Sequence, residues 1–215
     1  MITSNTLVKD GMPFIGKVLE QVEPYMDEMI VTISVKCTDE TNDVVEKFRK
    51  EHPDKVFVYH ENVSHKAELT KIQQDMLDSS TGDWILFLSD DDYWPREELE
   101  KVLAEIDKGE DVLGYSVNPY QLIDLEHYDY SWRKKQFTKF FKREGSYYKG
   151  DWPRELIYNN GESLYWKDNK RVVSLSYKFY HLSYLKNHSF RTEDWAKSFR
   201  HKVGKPVKIK GVIIE

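Results

Sequence analysis

The chain has 215 residues, 40% of them hydrophobic and 32% charged, which suits one globular domain with a substantial core and leaves no stretch as long as a membrane span. Its one cysteine, Cys37, excludes an intrachain disulfide and a cysteine zinc site, and reads as a small buried side chain rather than a nucleophile. The net charge of −5 hides an asymmetry, because residues 1–130 carry 12 Lys and Arg against 29 Asp and Glu (−17) and residues 131–215 carry 20 against 8 (+12). Either the second part faces something anionic or the two parts attract each other. No basic segment followed by an apolar one opens the chain, so the sequence predicts no secretory signal and a cytoplasmic protein, or one of the host cytoplasm if viral.

Taken in chain order, residues 1–7 form a strand. Residues 13–22 form a helix with Phe14, Ile15, Val18, Leu19 and Val22 on one face. The β-branched run 29–35 is a second strand. Residues 39–50 form a helix capped by Thr38 or Asp39, with Val44, Val45 and Phe48 inward. A short strand at 56–59 precedes a helix at 68–77 with Leu69, Ile72 and Met76 inward. The apolar run 84–88 is too short for a helix and reads as a buried strand. Pro95 opens a helix at 96–107 with Leu99, Val102, Leu103 and Ile106 inward, and a strand resumes at 112–117. This alternation predicts an α/β fold, a mostly parallel sheet flanked by helices. After residue 118 the pattern breaks. Residues 128–148 are aromatic and basic without a clean period. Short strands, read as antiparallel, fall at 156–158, 164–166, 172–175 and 179–181, with Asn159-Asn160-Gly161 as a turn. Residues 192–201 suit a short helix, and 207–214 form a β-prone tail.

The most informative residues are Asp90-Asp91-Asp92, directly after the buried strand. Three carboxylates there repel one another and resist desolvation. A divalent cation with oxygen ligands, itself holding phosphates, offsets that cost. Ligands of open α/β sheets sit just beyond the carboxyl ends of strands, where this triplet lies. The alternative is a solvated acidic turn that caps the next helix.

Three segments are similar to glycosyltransferase family 2 of the GT-A fold. Val8-Lys9-Asp10-Gly11, continuing through Leu19 and Pro24 to Val31, resembles the family's opening strand, helix and second strand. Thr38-Asp39-Glu40-Thr41 resembles its "STDGT" stretch. Residues 81–92 resemble the "TGDWILFLDADD" segment that holds the metal-binding Asp-x-Asp (DXD) motif. The resemblance implies a GT-A, Rossmann-like core with a small mixed antiparallel C-terminal extension. Residues 1–117 would be the nucleotide-sugar-binding core, and 118–215 an acceptor-side region and extension of the same domain. It implies a nucleoside-diphosphate sugar donor, Mn²⁺ or Mg²⁺, and transfer to an acceptor hydroxyl, usually with inversion. A non-catalytic sugar-nucleotide or glycan-binding module is the alternative. A nucleotidyltransferase is disfavoured, since only Gly11 and Gly16 follow the first strand where a Gly-rich phosphate loop would stand.

Two positions depart from the family. Ser34-Val35-Lys36 stands where an acidic residue usually contacts the nucleobase. Ser89 stands at the first Asp of the motif, so the metal ligands are drawn from Asp90, Asp91 and Asp92. The resemblance implies nucleotide-sugar contacts from Thr3, Ser4 and Asn5 at the end of the first strand, and from Ser34, Lys71, Asp90 and Arg154. His181, in a stretch similar to the family's late "HYSY", would complete the metal shell or bond the diphosphate; a purely structural histidine is the alternative. The catalytic base is drawn from Asp194, Glu162 and Asp168, with Asp194 equally suited to a helix N-terminus. Residues 132–143 interleave cations and aromatics, and the tail adds Lys197, Arg200, His201, Lys202, Lys205, Lys208 and Lys210. They suit an anionic acceptor, either a hydroxymethylated DNA base or an envelope saccharide or lipid-linked acceptor at a membrane surface, or else a basic lid over the donor.

Overall fold

The computed structural model describes residues 1–63, 66–108, 111–122, 127–129, 136–150, 155–159, 161–165, 168–183, 185 and 206–208. Arg154, Asp194, the 192–201 helix, residues 132–135 of the basic stretch and most of the basic tail lie outside the described residues.

The first half alternates as its periodicity predicts: β1 (Ile2–Val8), α1 (Ile15–Val22), β2 (Glu28–Ser34), α2 (Thr41–Glu51), β3 (Val56–Glu61), α3 (Lys66–Ser79) and β4 (Trp84–Phe87). A two-residue strand β5 (Asp92–Tyr93) follows, then α4 (Arg96–Ile106) and β6 (Gly114–Gln121). The remaining strands are β7 (His127–Asp129), β8 (Phe137–Lys142), β9 (Ser146–Lys149), β10 (Glu155–Tyr158), β11 (Glu162–Ser163), β12 (Val172–His181) and β13 (Pro206–Lys208).

Eight strands form one curled sheet in the order β3-β2-β1-β4-β8-β6-β12-β5. The pairs β3/β2, β2/β1, β1/β4 and β6/β12 are parallel, and those of β8 with β4 and β6 and of β5 with β12 are antiparallel. Strands from both sides of residue 117 thus share this sheet. Every residue of β2 is buried, as a strand covered on both faces must be, whereas the edge strand β3 exposes Phe57 and Tyr59.

Ile15, Val18, Leu19 and Val22 of α1, Val45 and Phe48 of α2, and Leu99, Val102 and Ile106 of α4 fill one core. Ile72 and Met76 of α3 pack with Ile30, and Leu77 packs with Ile85 and Phe141. Leu69, expected inward, is half-buried. Phe140 and Phe141 are successive in β8, so they point to opposite faces and enter separate cores. Asp39 accepts the Thr41 N–H at 3.0 Å at the start of α2, while the Thr38 N–H donates to Asp10 at 2.7 Å.

Three expectations are corrected. The segments 172–175 and 179–181 are one strand, β12, and it runs parallel to β6. A register shift between Ser174 and Lys178 turns polar residues outward in mid-strand, which reads in the sequence as a break. Residues 137–142, aperiodic in the sequence, form the antiparallel strand β8 in the middle of the sheet. The strand read at 164–166 is instead β11, two residues earlier; it pairs antiparallel with β10, and Gly161, just before it, has φ 91°.

Candidate functional site

At the carboxyl end of β4 the chain turns sharply. The Ser89 N–H donates to Asp92 Oδ2 at 3.0 Å and the Asp92 N–H returns to the Ser89 carbonyl at 3.0 Å. β5 then runs back antiparallel to β12, with Asp92 opposite His181. The Leu182 N–H donates to the Asp91 carbonyl at 2.8 Å. Gln21 of α1 clamps the turn from behind, donating to the Asp92 carbonyl at 3.1 Å and accepting the Trp94 N–H at 2.6 Å.

This turn brings ligand atoms of Asp91, Asp92 and His181 within 4.8 Å of one another. The Asp92 side chain has no exposed surface, and Asp91 has 12%. His181 Nδ1–H donates to Asp92 Oδ1 at 2.9 Å and lies 3.4 Å from Asp91 Oδ1. Lys139 of β8 pairs with Asp92 Oδ2, and its own side chain is 5% exposed. The ammonium lies 5.0 Å from the Phe87 ring centroid and 4.8 Å from that of Phe179. Trp94 stacks on the same Phe179 at 5.1 Å.

Burial alone would raise the Asp92 pKa, but the Lys139 charge and the His181 hydrogen bond hold it well below the usual carboxylate range. Burial alone would lower that of His181, but the Asp91 and Asp92 carboxylates raise it above the ordinary imidazole value.

Two carboxylates and an imidazole fit a divalent cation by donor chemistry. Asp91 is the carboxylate of the pair that reaches solvent. Both oxygens of Asp92 are already engaged, one by Lys139 and the Ser89 N–H, the other by His181. Lys139 belongs to the 132–143 stretch read from the sequence as an acceptor surface or a lid; its place beside Asp92 is not foreseen there, because the aperiodic run 137–142 gives no sign of a strand in mid-sheet.

The other expected residues are dispersed. Asp90 Oδ2 would lie 3.3 Å from a Cβ at Gly11, so it packs against the loop after β1. Thr3, Ser4 and Asn5 lie inside β1, which continues to Val8, and not at its end. Thr3 donates to Glu28 at 2.7 Å and accepts the Gly82 N–H at 2.9 Å, a latch at the start of β4. Asn5 Oδ1 accepts the Ser80 hydroxyl at 3.2 Å. Ser34 ends β2, and its hydroxyl accepts the Lys36 N–H at 3.2 Å. Lys71 stands on the exposed face of α3, paired with Asp75. Glu162 is held by Arg171 at 2.9 Å and Asn169 at 3.2 Å, and Asp168 is exposed.

The described part of the basic stretch is built into the sheet. Lys139, Phe140 and Phe141 are buried, and Lys142 lies 5.9 Å from the Trp84 ring. Beside the acidic turn opens a cavity of about 430 Å³, bordered among the described residues by Ser89, Asp92, Thr138, Lys139 and His181 together with aromatic and aliphatic side chains. A second cluster, Asp10, Cys37 and Asp39, lies between the loops after β1 and β2. Burial is the first cause that raises the Cys37 pKa.

The model of glycosyl transferase family 2 matches residues 13–189, and the chain belongs to this family. Its fold is GT-A. A solved structure of S. aureus TarS 1-349 in complex with UDP-GlcNAc superposes with a TM-score of 0.55 at 16% identity, over 93% of this chain and 64% of that one. A second structure of TarS 1-349 gives 0.55 at 17% identity, over 84% of this chain and 60% of that one. The mannosyltransferase PcManGT from Pyrobaculum calidifontis, in complex with GDP-Man and Mn²⁺, gives 0.45 at 22% identity, over 57% and 36%. The chain therefore spans less than two thirds of the length of these structures. No curated protein matches the sequence. No helix among the described residues is long and apolar enough to cross a membrane.

Proposed function

We propose that this chain is a metal-dependent glycosyltransferase that moves a sugar from a nucleoside-diphosphate donor to an acceptor hydroxyl, with inversion. The observation that carries the proposal is the Asp91–Asp92–His181 cluster just beyond β4, in a chain of glycosyl transferase family 2. TarS, of the same fold, is solved with UDP-GlcNAc, which supports a nucleotide-sugar donor here.

Asp91, with His181 beside it, would hold Mn²⁺ or Mg²⁺, whose charge would neutralise the departing diphosphate. Asp92 stands behind Asp91 as an anchor. It stays ionised against Lys139 and the Ser89 N–H, and it fixes the His181 ring towards Asp91. Asp90 faces the loop after β1, where the nucleoside half of the donor belongs, together with Ser34 at the end of β2. No carboxylate stands at Ser34, so the base need not be uracil. Lys71 and Arg154 remain assigned to the donor on the family pattern alone. Asp194 is assigned as the base that takes the acceptor proton. Its rivals suit the task less, because Glu162 is committed to Arg171 and Asp168 stands in solvent.

A second reading, a sugar-nucleotide-binding module without turnover, is favoured by one observation: the Lys139 ammonium already supplies positive charge inside the acidic cluster. Release of free UDP from UDP-GlcNAc, measured with and without Mn²⁺, separates the two. Mn²⁺-dependent release supports the transferase, and donor binding with no release under either condition supports the module.

A further inference from the structure

We infer that the outer edge of β3 is an interface for a second copy of this chain, the two β3 strands pairing antiparallel about Val58 so that the sheets join across a two-fold axis. The inference goes beyond the glycosyltransferase reading and does not depend on it, since β3 stands three strands away from β4 and its acidic turn.

Three observations carry it. The first is the open edge. β3 ends the eight-stranded sheet, and among the described residues no strand pairs with its outer side. The Met29 N–H donates to the Lys55 carbonyl and the Val35 N–H to the Glu61 carbonyl, each at 2.9 Å, so the odd-numbered residues of β3 turn their backbone groups to β2. Those of Val58 and His60 point outward. The register with β2 runs unbroken from Val56 to Glu61, and the strand carries no proline, lysine or bulge of the kind that shields an edge. The second is an uncovered aromatic pair. α3 packs Ile72 and Met76 on Ile30, the β2 neighbour of Phe57. Beyond it Phe57 and Tyr59, two apart and so on one face of the strand, are 42% and 46% exposed. The third is self-complementarity. Antiparallel pairing about Val58 sets Val58 against its own copy, where the two exchange both hydrogen bonds, and brings each His60 N–H to a Val56 carbonyl. The Val56 N–H is already given to the His52 carbonyl at 3.0 Å and needs no further acceptor. The same register places Phe57 opposite the partner's Tyr59, and Tyr59 opposite the partner's Phe57. Both fall at the non-hydrogen-bonded spacing of about 4.5 Å between Cα atoms, where cross-strand aromatic pairs pack closest. Charge does not oppose the contact. His60 bonds Asn42 at 2.8 Å, which puts that face of α2 beside the edge, and the next residues along it, Glu46 and Arg49, pair with each other at 2.8 Å. One residue pattern thus serves both partners, as a two-fold contact requires.

The test is analytical ultracentrifugation of the whole chain over a dilution series. Phe57 and Tyr59 are partly exposed, so two double variants, Phe57→Lys with Tyr59→Lys and Phe57→Lys with Tyr59→Glu, are expected to fold, with circular dichroism as the check. In this register the first sets like charges opposite each other and the second sets unlike charges. The expected result is a wild-type dimer that dissociates on dilution and associates at least about tenfold more weakly in the first variant. The second variant recovers association and loses it again as salt rises. Hydrogen exchange on the wild type gives a readout that needs no variant: the Val58 and His60 amides exchange more slowly in concentrated than in dilute samples. A monomer at every concentration, as when the chain's own remaining segments cover β3, would overturn the inference. So would open-ended oligomers, equal exchange of the two amides at both concentrations, a dimer that the first variant leaves unchanged, or a second variant that associates no better than the first.

Discussion

Lys139 and Asp92 lie 47 positions apart in the chain and meet inside the protein, the lysine side chain 5% exposed and the aspartate fully buried. Asp92 is thereby held ionised at the heart of the acidic turn, with the His181 ring fixed on its other oxygen.

Removing one partner of such a pair strands the other. Lys139→Met should destabilise the protein by about 3–5 kcal/mol, because Asp92 keeps a buried charge with only the His181 ring and the Ser89 N–H left to balance it. Adding Asp92→Asn should recover part of that loss. Urea denaturation of both single variants and the double variant measures the coupling. Additive effects would contradict a direct pairing.

Stability should depend on pH through the same cluster. The His181 pKa is raised in the folded protein, so its contribution is complete below the ordinary value of 6.5 and is lost as pH rises through the raised value. Asp92 is depressed, so its contribution is complete above the ordinary 3.8 and is lost only as pH falls well below that. In metal-free buffer, the stability advantage of wild type over His181→Gln should therefore shrink as pH rises from 6.5. Thermal melts from pH 5.5 to 8.5 with a chelator present would reveal it, and an advantage that grows with pH would reverse the sign.

Gly11 is where the loop after β1 closes on the acidic turn. A Cβ there would stand 2.7 Å from Val8 Cγ2, 3.0 Å from Ile15 Cβ and 3.3 Å from Asp90 Oδ2. Gly11→Ala should cost about 1–3 kcal/mol, as overpacked sites do. The shift of the urea midpoint measures it, and an unchanged midpoint would mean that the loop yields freely.

Cys37 is half-buried, and its thiol pKa is raised by burial and by the neighbouring Asp10 and Asp39 carboxylates. Its reaction with Ellman's reagent at pH 8 should be slower than that of free cysteine in the same buffer. A faster reaction would mark an activated thiol.

Much of the fold was legible in the sequence because its first half is locally consistent. Val18, Leu19 and Val22 repeat at helical spacing, and the run from Met29 to Ile33 is fully buried between two layers. The second half hides its pattern for physical reasons. β8 sits mid-sheet, so Phe140 and Phe141 are both inward and no alternation shows. β12 carries a register shift that places polar residues in mid-strand. At the site, the acidic triplet and His181 were visible as residue types at strand ends. The pairing of Asp92 with Lys139 was not, since it depends on which strand β8 is inserted beside. The placement of Thr3, Ser4 and Asn5 failed because β1 extends to Val8, three residues beyond Asn5.

The central claim is that the acidic turn binds a divalent cation that binds a nucleoside diphosphate. Calorimetric titration with UDP in the presence of Mn²⁺, on wild type and Asp91→Asn, tests it most directly. Binding to wild type that disappears with Mn²⁺ removed, and that Asp91→Asn abolishes while its circular dichroism is unchanged, is the predicted result. Equal affinity in the folded variant, or in wild type without the metal, would contradict it.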